Sequence, residues 1–392
     1  MANLPPKILV VDADPTVTGP ISDPLDKMGI EVFAASDLQT AMYRFNKQFF
    51  RVIFVELKFP ELDGLSVIQK WRNHEIAEKQ TAGFIVMTSA PLSKEQLALV
   101  NEMGKIQVVQ KPLQVGPMIT QIQRAYKLHV RYELALKIKK DITEKLEKDG
   151  DLKAAIKSVQ EFKEPLSDEY YPLLLELYQL HDNYEEGIEV LRQIPNEKMD
   201  PLQRLNLMGK FNLKMGNLED ARKFYEEADQ VAPKNMERIT DMVDMYLQLK
   251  SPDKAVDKQR QILDLNPENR DIKFDLFKQL EDNGFADHAA SFCQETSAPK
   301  EVVRYFNNKG VVMAQTDSID VAIEEYKRAI TYYPNNKDNY LIHFNIALAF
   351  LRKRDPKFLP QAKEHLSACL KLQPNFEKAK ALLNKILDRQ AG

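Results

Sequence analysis

Asp12, Glu56, Ser89 and Lys111 share one kind of place in this sequence, for each closes a short apolar or β-branched run, over residues 7–12, 52–56, 84–89 and 107–111. Two carboxylates, a hydroxyl and an ammonium brought to one spot could offer hard oxygen ligands to Mg²⁺, or could hold a permanent ion pair. A fifth run covers residues 31–35, and amphipathic stretches such as 38–49 and 65–71 separate the runs at lengths able to cross over a sheet. Strands buried on both faces read as continuous apolar runs, so five such units imply an open parallel sheet with helices on both sides. In that architecture chemistry lies beyond the carboxyl ends of the strands, where these four residues fall.

The run Glu56-Leu57-Lys58-Phe59-Pro60-Glu61-Leu62-Asp63-Gly64 follows the apolar segment Val52-Ile53-Phe54-Val55. It resembles the phosphorylation-site loop of the response-regulator receiver family, a strand ending in a phospho-accepting Asp followed by x-x-x-Pro-x-x-Asp-Gly. The resemblance implies a flavodoxin-like α/β domain over residues 1–128, with a five-stranded parallel sheet of order 2-1-3-4-5. It also implies that Asp12 is the first of two magnesium-holding acids and that Ser89, or else Thr88, follows the phosphoryl group. Lys111 would neutralise that group, with a cis peptide before Pro112. Three positions depart from the pattern: Glu56 stands at the accepting position, Ala13 replaces the second acid although Asp14 is adjacent, and Val108 takes the place of an aromatic switch residue. Magnesium wants near-octahedral oxygen ligands. No metal or other cofactor is therefore expected, Asp12 and Glu56 being the acids left to hold one. Glu56 should not take a phosphoryl group in the usual way, and it can sit near Lys111 as a permanent anion. Two readings stay open, a fixed mimic of the phosphorylated state or a decayed site whose domain survives as a docking surface.

Beyond about residue 136 strand signals give way to helix after helix, and an internal period appears. Ala221, Ala255 and Ala289 are 34 residues apart, as are Pro233 and Pro267, and Ala322 follows at 33. The clearest units, Gly209, Gly216, Ala221, Tyr225, Ala228, Pro233 and then Gly310, Ala322, Tyr326, Ala329, Pro334, resemble the tetratricopeptide repeat. The resemblance implies an all-α superhelix over residues 129–392 of about seven repeats, with an insertion at 355–359 and a capping helix over 375–390. From 118 to 148 there is no Gly or Pro, and apolar residues recur every four positions. One long helix is expected to run from the first domain into the second.

At 392 residues, 44% apolar and 29% charged, the chain reads as globular with more than one domain. Net charge is −3, with 14 basic against 13 acidic residues through Lys127 and 41 against 45 beyond it. No basic patch suits a nucleic acid. With no leader-like start and no apolar stretch of membrane length, a cytoplasmic protein is expected. Cys293 and Cys369 read as small buried residues, the six His are scattered, and no phosphate loop occurs. Trp71 and the pairs Tyr170-Tyr171 and Tyr332-Tyr333 read as packing. Repeat arrays of this family bind peptides or helices in their concave groove, where Asn206, Lys210, Asp244, Lys278 and Asn307 are expected to face a protein partner. The sequence reads as a non-enzymatic bacterial signalling adaptor. The alternative is a phosphorelay response regulator with the repeats as output. Oligomeric state stays open.

Overall fold

The computed structural model describes residues 5–59, 62–104, 106–166, 169–265, 270–296 and 299–391. Pro60, Glu61 and Pro267 of the motifs above lie outside them. The chain forms two compact units, Met1–Pro267 and Glu268–Gly392.

The first unit opens with five strands, β1 (Lys7–Val11), β2 (Glu31–Ala35), β3 (Val52–Glu56), β4 (Gly83–Thr88) and β5 (Gln107–Gln110). They form one parallel sheet in the order β2-β1-β3-β4-β5. Between them run α1 (Thr18–Asp26), α2 (Leu38–Lys47), α3 (Gly64–Arg72), the short α4 (Ala77–Gln80) and α5 (Lys94–Glu102). Side chains alternate across a strand. Ile8, Val10, Val52 and Phe54 thus pack on one face with Ile21, Leu25, Met118 and Ile122. Leu9, Val11, Ile53 and Val55 pack on the other with Phe45, Ile68, Trp71 and Leu99. Trp71 is fully buried, stacked on Phe45 at 4.7 Å, with its indole N–H donated to Met42 Sδ.

One unbroken helix, α6 (Val115–Asp149), leaves the sheet and enters the repeats. Pro117 is tolerated in its first turn because N–H groups there have no intrahelical acceptor. The helices α7 (Leu152–Glu161), α8 (Lys163–Leu166), α9 (Tyr170–Leu180), α10 (Tyr184–Gln193), α11 (Pro201–Lys214), α12 (Leu218–Val231), α13 (Met236–Gln248) and α14 (Pro252–Leu265) complete the first unit. The second contains α15 (Arg270–Asp282), α16 (Ala286–Thr296), α17 (Pro299–Gln315), α18 (Ile319–Tyr332), α19 (Asn339–Arg352), α20 (Leu359–Leu372) and α21 (Glu377–Ala391).

A backbone signature marks each helix pair. Gly150, Asp182, Gly216, Lys250, Gly284, Asp317 and Arg354 all have φ between 53° and 83°, and each lies in the turn between the two helices of a pair. After the last of these turns, at Arg354, a 3₁₀ turn, Pro356–Phe358, intervenes before α20, where the sequence predicted an insertion. Ala221, Ala255, Ala289 and Ala322, the periodic alanines, are all fully buried. At Gly209 and Gly310 an added Cβ would stand 2.7 and 2.4 Å from the rings of Tyr225 and Tyr326, so glycine there lets the aromatic of the second helix touch the backbone of the first. Burial also explains the cysteines, whose thiols are pushed up to about 12 at Cys293 and about 11 at Cys369.

A left-handed conformation costs an L-residue roughly 1–2 kcal/mol, less for Asp than for Lys or Arg. We expect Lys250→Gly to stabilise the protein by about 0.5–1 kcal/mol once the extra entropy of unfolded glycine is subtracted. Urea unfolding checks this, and the same change at Glu219, in the first turn of α12, should destabilise.

Candidate functional site: the strand-end ion cluster and the sheet–helix seam

The parallel order places the ends of β1, β3 and β4 and the residue after β5 side by side. Asp12 and Glu56 are 3% and 8% exposed, so both carboxylates are held away from bulk water. Lys111 lies between them, its ammonium 2.6 Å from Asp12 Oδ2 and ion-paired with Glu56 Oε2. Burial alone would lower the Lys111 pKa, but hydrogen bonds and charge from Asp12 and then Glu56 outweigh it and the net shift is upward. The Lys111-Pro112 peptide is cis. Gly64 closes the loop after β3, its N–H donating to Leu57 O at 2.8 Å, and a Cβ there would meet Glu56 O at 2.1 Å.

The hydroxyls are arranged less simply. Ser89 is exposed, one residue beyond β4, while Thr88 is buried and donates to Ala90 O at 2.6 Å. Asp14, adjacent to Ala13, caps the turn Pro15–Val17 with Oδ1, which accepts from Thr16 N–H and Oγ1 at 2.9 and 2.7 Å. Those hydrogen bonds hold its carboxyl below the ordinary range. The acids left, Asp12 and Glu56, both turn an oxygen to Lys111. That donor set does not fit a magnesium ion, which prefers several oxygens in octahedral array.

A second constellation joins the sheet domain to the repeats. Glu102, the last residue of α5, pairs with Arg238 of α13, their side chains 1% and 0% exposed. Asn206 of α11 completes the knot, donating to Glu102 Oε1 and accepting from Arg238 Nη1 at 2.8 Å. Arg238 also donates to Ala232 O, and Gln203 Nε2 donates to Glu102 O at 2.9 Å. On α3, the Gln69 amide donates to Lys234 O at 3.0 Å and accepts from Met236 N–H at 2.8 Å. Leu202, Leu205, Ala228 and Ala232 of the repeats pack into the same apolar cluster as Leu99 and Val100. Burial raises the Glu102 pKa even against the Arg238 charge. A pocket of about 310 Å³ beside this seam is walled by Lys58, Asp63 and Thr88 from the strand ends and by Pro233 and Lys234 from the repeats.

Of the five groove residues, Asn206 is taken up by Glu102, where an open groove was expected, and Lys210 pairs with Glu237 at 2.8 Å. Asp244 is exposed, its pKa raised by partial burial. In the second unit Lys278 is exposed and Asn307 accepts from Asn345 at 2.7 Å. Sequence reading did not single out Glu102, Arg238, Gln69 or Gln203. Glu102 and Arg238 are 136 residues apart, and an arginine in the first turn of a helix looks like a solvated side chain.

It also missed one histidine contact. His343 and His365, on α19 and α20, stand with their Nδ1 atoms 2.9 Å apart, with no third metal-ligating partner among the described residues. Burial, the His343 charge and Lys327 together push His365 down to about 4 against Glu364, and burial also lowers His343. An unfolded imidazole protonates near 6.5, so below that pH the unfolded chain binds more protons and stability falls as pH falls. We expect a loss of about 2 kcal/mol on going from pH 7 to pH 4, allowing for partial exposure of the rings. His365→Asn should flatten that part of the melting profile, and an unchanged slope would refute the assignment.

Comparison with known proteins finds two families along the chain. Residues 8–123 match the response regulator receiver domain family and residues 202–235 match a tetratricopeptide repeat family. The regulatory protein AtoC of Escherichia coli K12 is 25% identical over 122 residues, 31% of this chain and 25% of that protein. The virulence transcriptional regulatory protein PhoP of Salmonella typhimurium is 25% identical over 117 residues, 30% of this chain and 50% of that protein. The chain thus spans a quarter to a half of the length of these curated relatives. Among solved structures, the chemotaxis protein CheY4 of Vibrio cholerae is similar at 23% identity and TM-score 0.28, over 30% of this chain and 97% of that one. The beryllofluoride-activated NtrC4 receiver domain matches at 24% and 0.29, over 31% and 98%. The chain therefore carries a response-regulator receiver domain over residues 8–123 and a tetratricopeptide repeat over residues 202–235.

Proposed function

We propose that this protein is a bacterial two-component-type signalling adaptor, not an enzyme, in which a receiver that cannot be phosphorylated is coupled to a protein-binding repeat scaffold. The observation that carries the reading is the Glu56 carboxylate, which occupies the accepting position and is already paired with Lys111. Phosphoryl transfer needs a free carboxylate and electrostatic neutralisation of the incoming group, and here both the anion and its cation are engaged. We assign residues 1–128 to the receiver and 129–392 to about seven repeats and a cap, with protein partners on the repeats, on the receiver, or on both. A cytoplasmic setting suits this reading, and among the described residues no helix is long and apolar enough to cross a membrane.

Incubation with acetyl phosphate and Mg²⁺ followed by intact mass is the test. No phosphoryl adduct is expected on the wild-type chain, and Glu56→Asp with Ala13→Asp should restore some metal binding. An adduct on wild type that disappears in Glu56→Gln would instead establish a phosphorelay regulator with the repeats as output.

A further inference from the structure

At the seam between α5, α6, α9, α11 and α13 lies a second pocket of about 310 Å³, distinct from the strand-end cluster. Its walls are partly apolar, from Met199, Leu207 and the ring of Tyr132, and its floor carries Glu102 and Asp241. The cations around it are engaged. Arg238 pairs with Glu102, Lys210 pairs with Glu237, and the Arg72 guanidinium donates to Gly104 O and lies over the rings of Tyr132 and Phe84. The acceptors are not used up: Glu102 Oε2 is buried without a hydrogen-bond donor, and the Tyr225 hydroxyl, at 2.7 Å, engages only Oδ2 of Asp241.

We propose that this seam pocket binds a guanidinium or ammonium group carried on an apolar stem, with Asp241 and Glu102 as its carboxylate partners. A buried carboxylate with a spare acceptor favours a ligand that brings N–H donors and positive charge together. The apolar walls suit the methylene stem of such a ligand. An anion would meet cations already neutralised and carboxylates that repel it. The titration state agrees with the geometry: burial, with added repulsion from Glu237 and Asp244, raises Asp241 to about 6 against Tyr225 and Lys210. A bound cation would reverse that shift. The pocket is walled by both the receiver and the repeats, so its occupant would touch both at once.

This goes beyond the adaptor reading and is tested apart from it, since no phosphodonor enters the experiment. Agmatine, N-acetyl-arginine amide and an arginine-containing tripeptide would be titrated into the full chain by calorimetry at pH 7.5, with N-acetyl-citrulline amide as the uncharged control. Binding of the charged probes at least tenfold tighter than the control is expected, and it should weaken at least tenfold in Asp241→Asn and as the pH falls below about 6. Asp241→Asn keeps an acceptor for Tyr225, and Met199→Trp, which fills the pocket without changing charge, is the second variant should the first melt early. Tripeptide binding well above that of agmatine would identify a partner protein's arginine as the source, and equal binding a small organic cation. No binding of any charged probe at millimolar concentration, or binding unchanged in both variants, would overturn the proposal.

Discussion

Arg238→Ala is expected to lower the unfolding free energy by about 3–5 kcal/mol, because it leaves the Glu102 carboxylate buried without its counter-charge. Arg238 is fully buried and also holds Asn206 Oδ1 and the Ala232 carbonyl, so its loss strips donors from three acceptors at once. Part of the loss would be recovered at low pH, where Glu102, already raised by burial, takes up a proton and its charge disappears. The double change Arg238→Met with Glu102→Leu removes both charges, and it should be far milder than the single one. Urea unfolding of the two singles and the double measures the coupling. A single-variant loss under 1 kcal/mol would mean that this pair is solvated and that the seam is held by its apolar cluster alone.

Leu134→Pro is the second change with a large expected effect, and the seam alters what it should do. Leu134 lies on α6 at 37% exposure, so the cost falls on the backbone: one helical hydrogen bond is lost and the ring meets a preceding carbonyl, about 3 kcal/mol or more. If α6 were the sole tie, breaking it would free the receiver to tumble. Gln69, Glu102 and Gln203 provide a second tie, so the scattering profile of Leu134→Pro should stay close to wild type while its stability drops. Adding Glu102→Arg, which places two guanidiniums together, should then expand the particle. Expansion in Leu134→Pro alone would show that the seam contacts do not hold without the helix.

These expectations separate what the sequence carries from what folding adds. Local patterns were legible. Five apolar runs, four of them ending in Asp12, Glu56, Ser89 and Lys111, gave the parallel sheet and its chemical edge, since alternation and strand length are properties of short windows. The recurrence of Ala221, Ala255 and Ala289 gave the repeat, because every unit buries the same small residue against its neighbour. The absence of Gly and Pro from 118 to 148 gave the long helix in the same way.

Contacts made across large sequence separations were not legible. Asn206 was read as facing a partner in a groove, yet its side chain donates to Glu102 of the receiver. No spacing rule links Glu102 to Arg238, or His343 to His365, because those pairs are set by how helices stack. The left-handed turn at Lys250 or Arg354 is likewise invisible in residue type, for the stacked helices on either side impose it. By itself the sequence determined the two folds, the strand-end residues and the placing of Glu56 at the end of the third strand. The tertiary structure decided that the Glu56 carboxylate is paired with Lys111, that Asp14 caps a turn, and that Asn206 meets Glu102 of the sheet domain. Those outcomes depend on which buried charges find partners once the helices and the sheet have packed, and that is settled by desolvation and geometry.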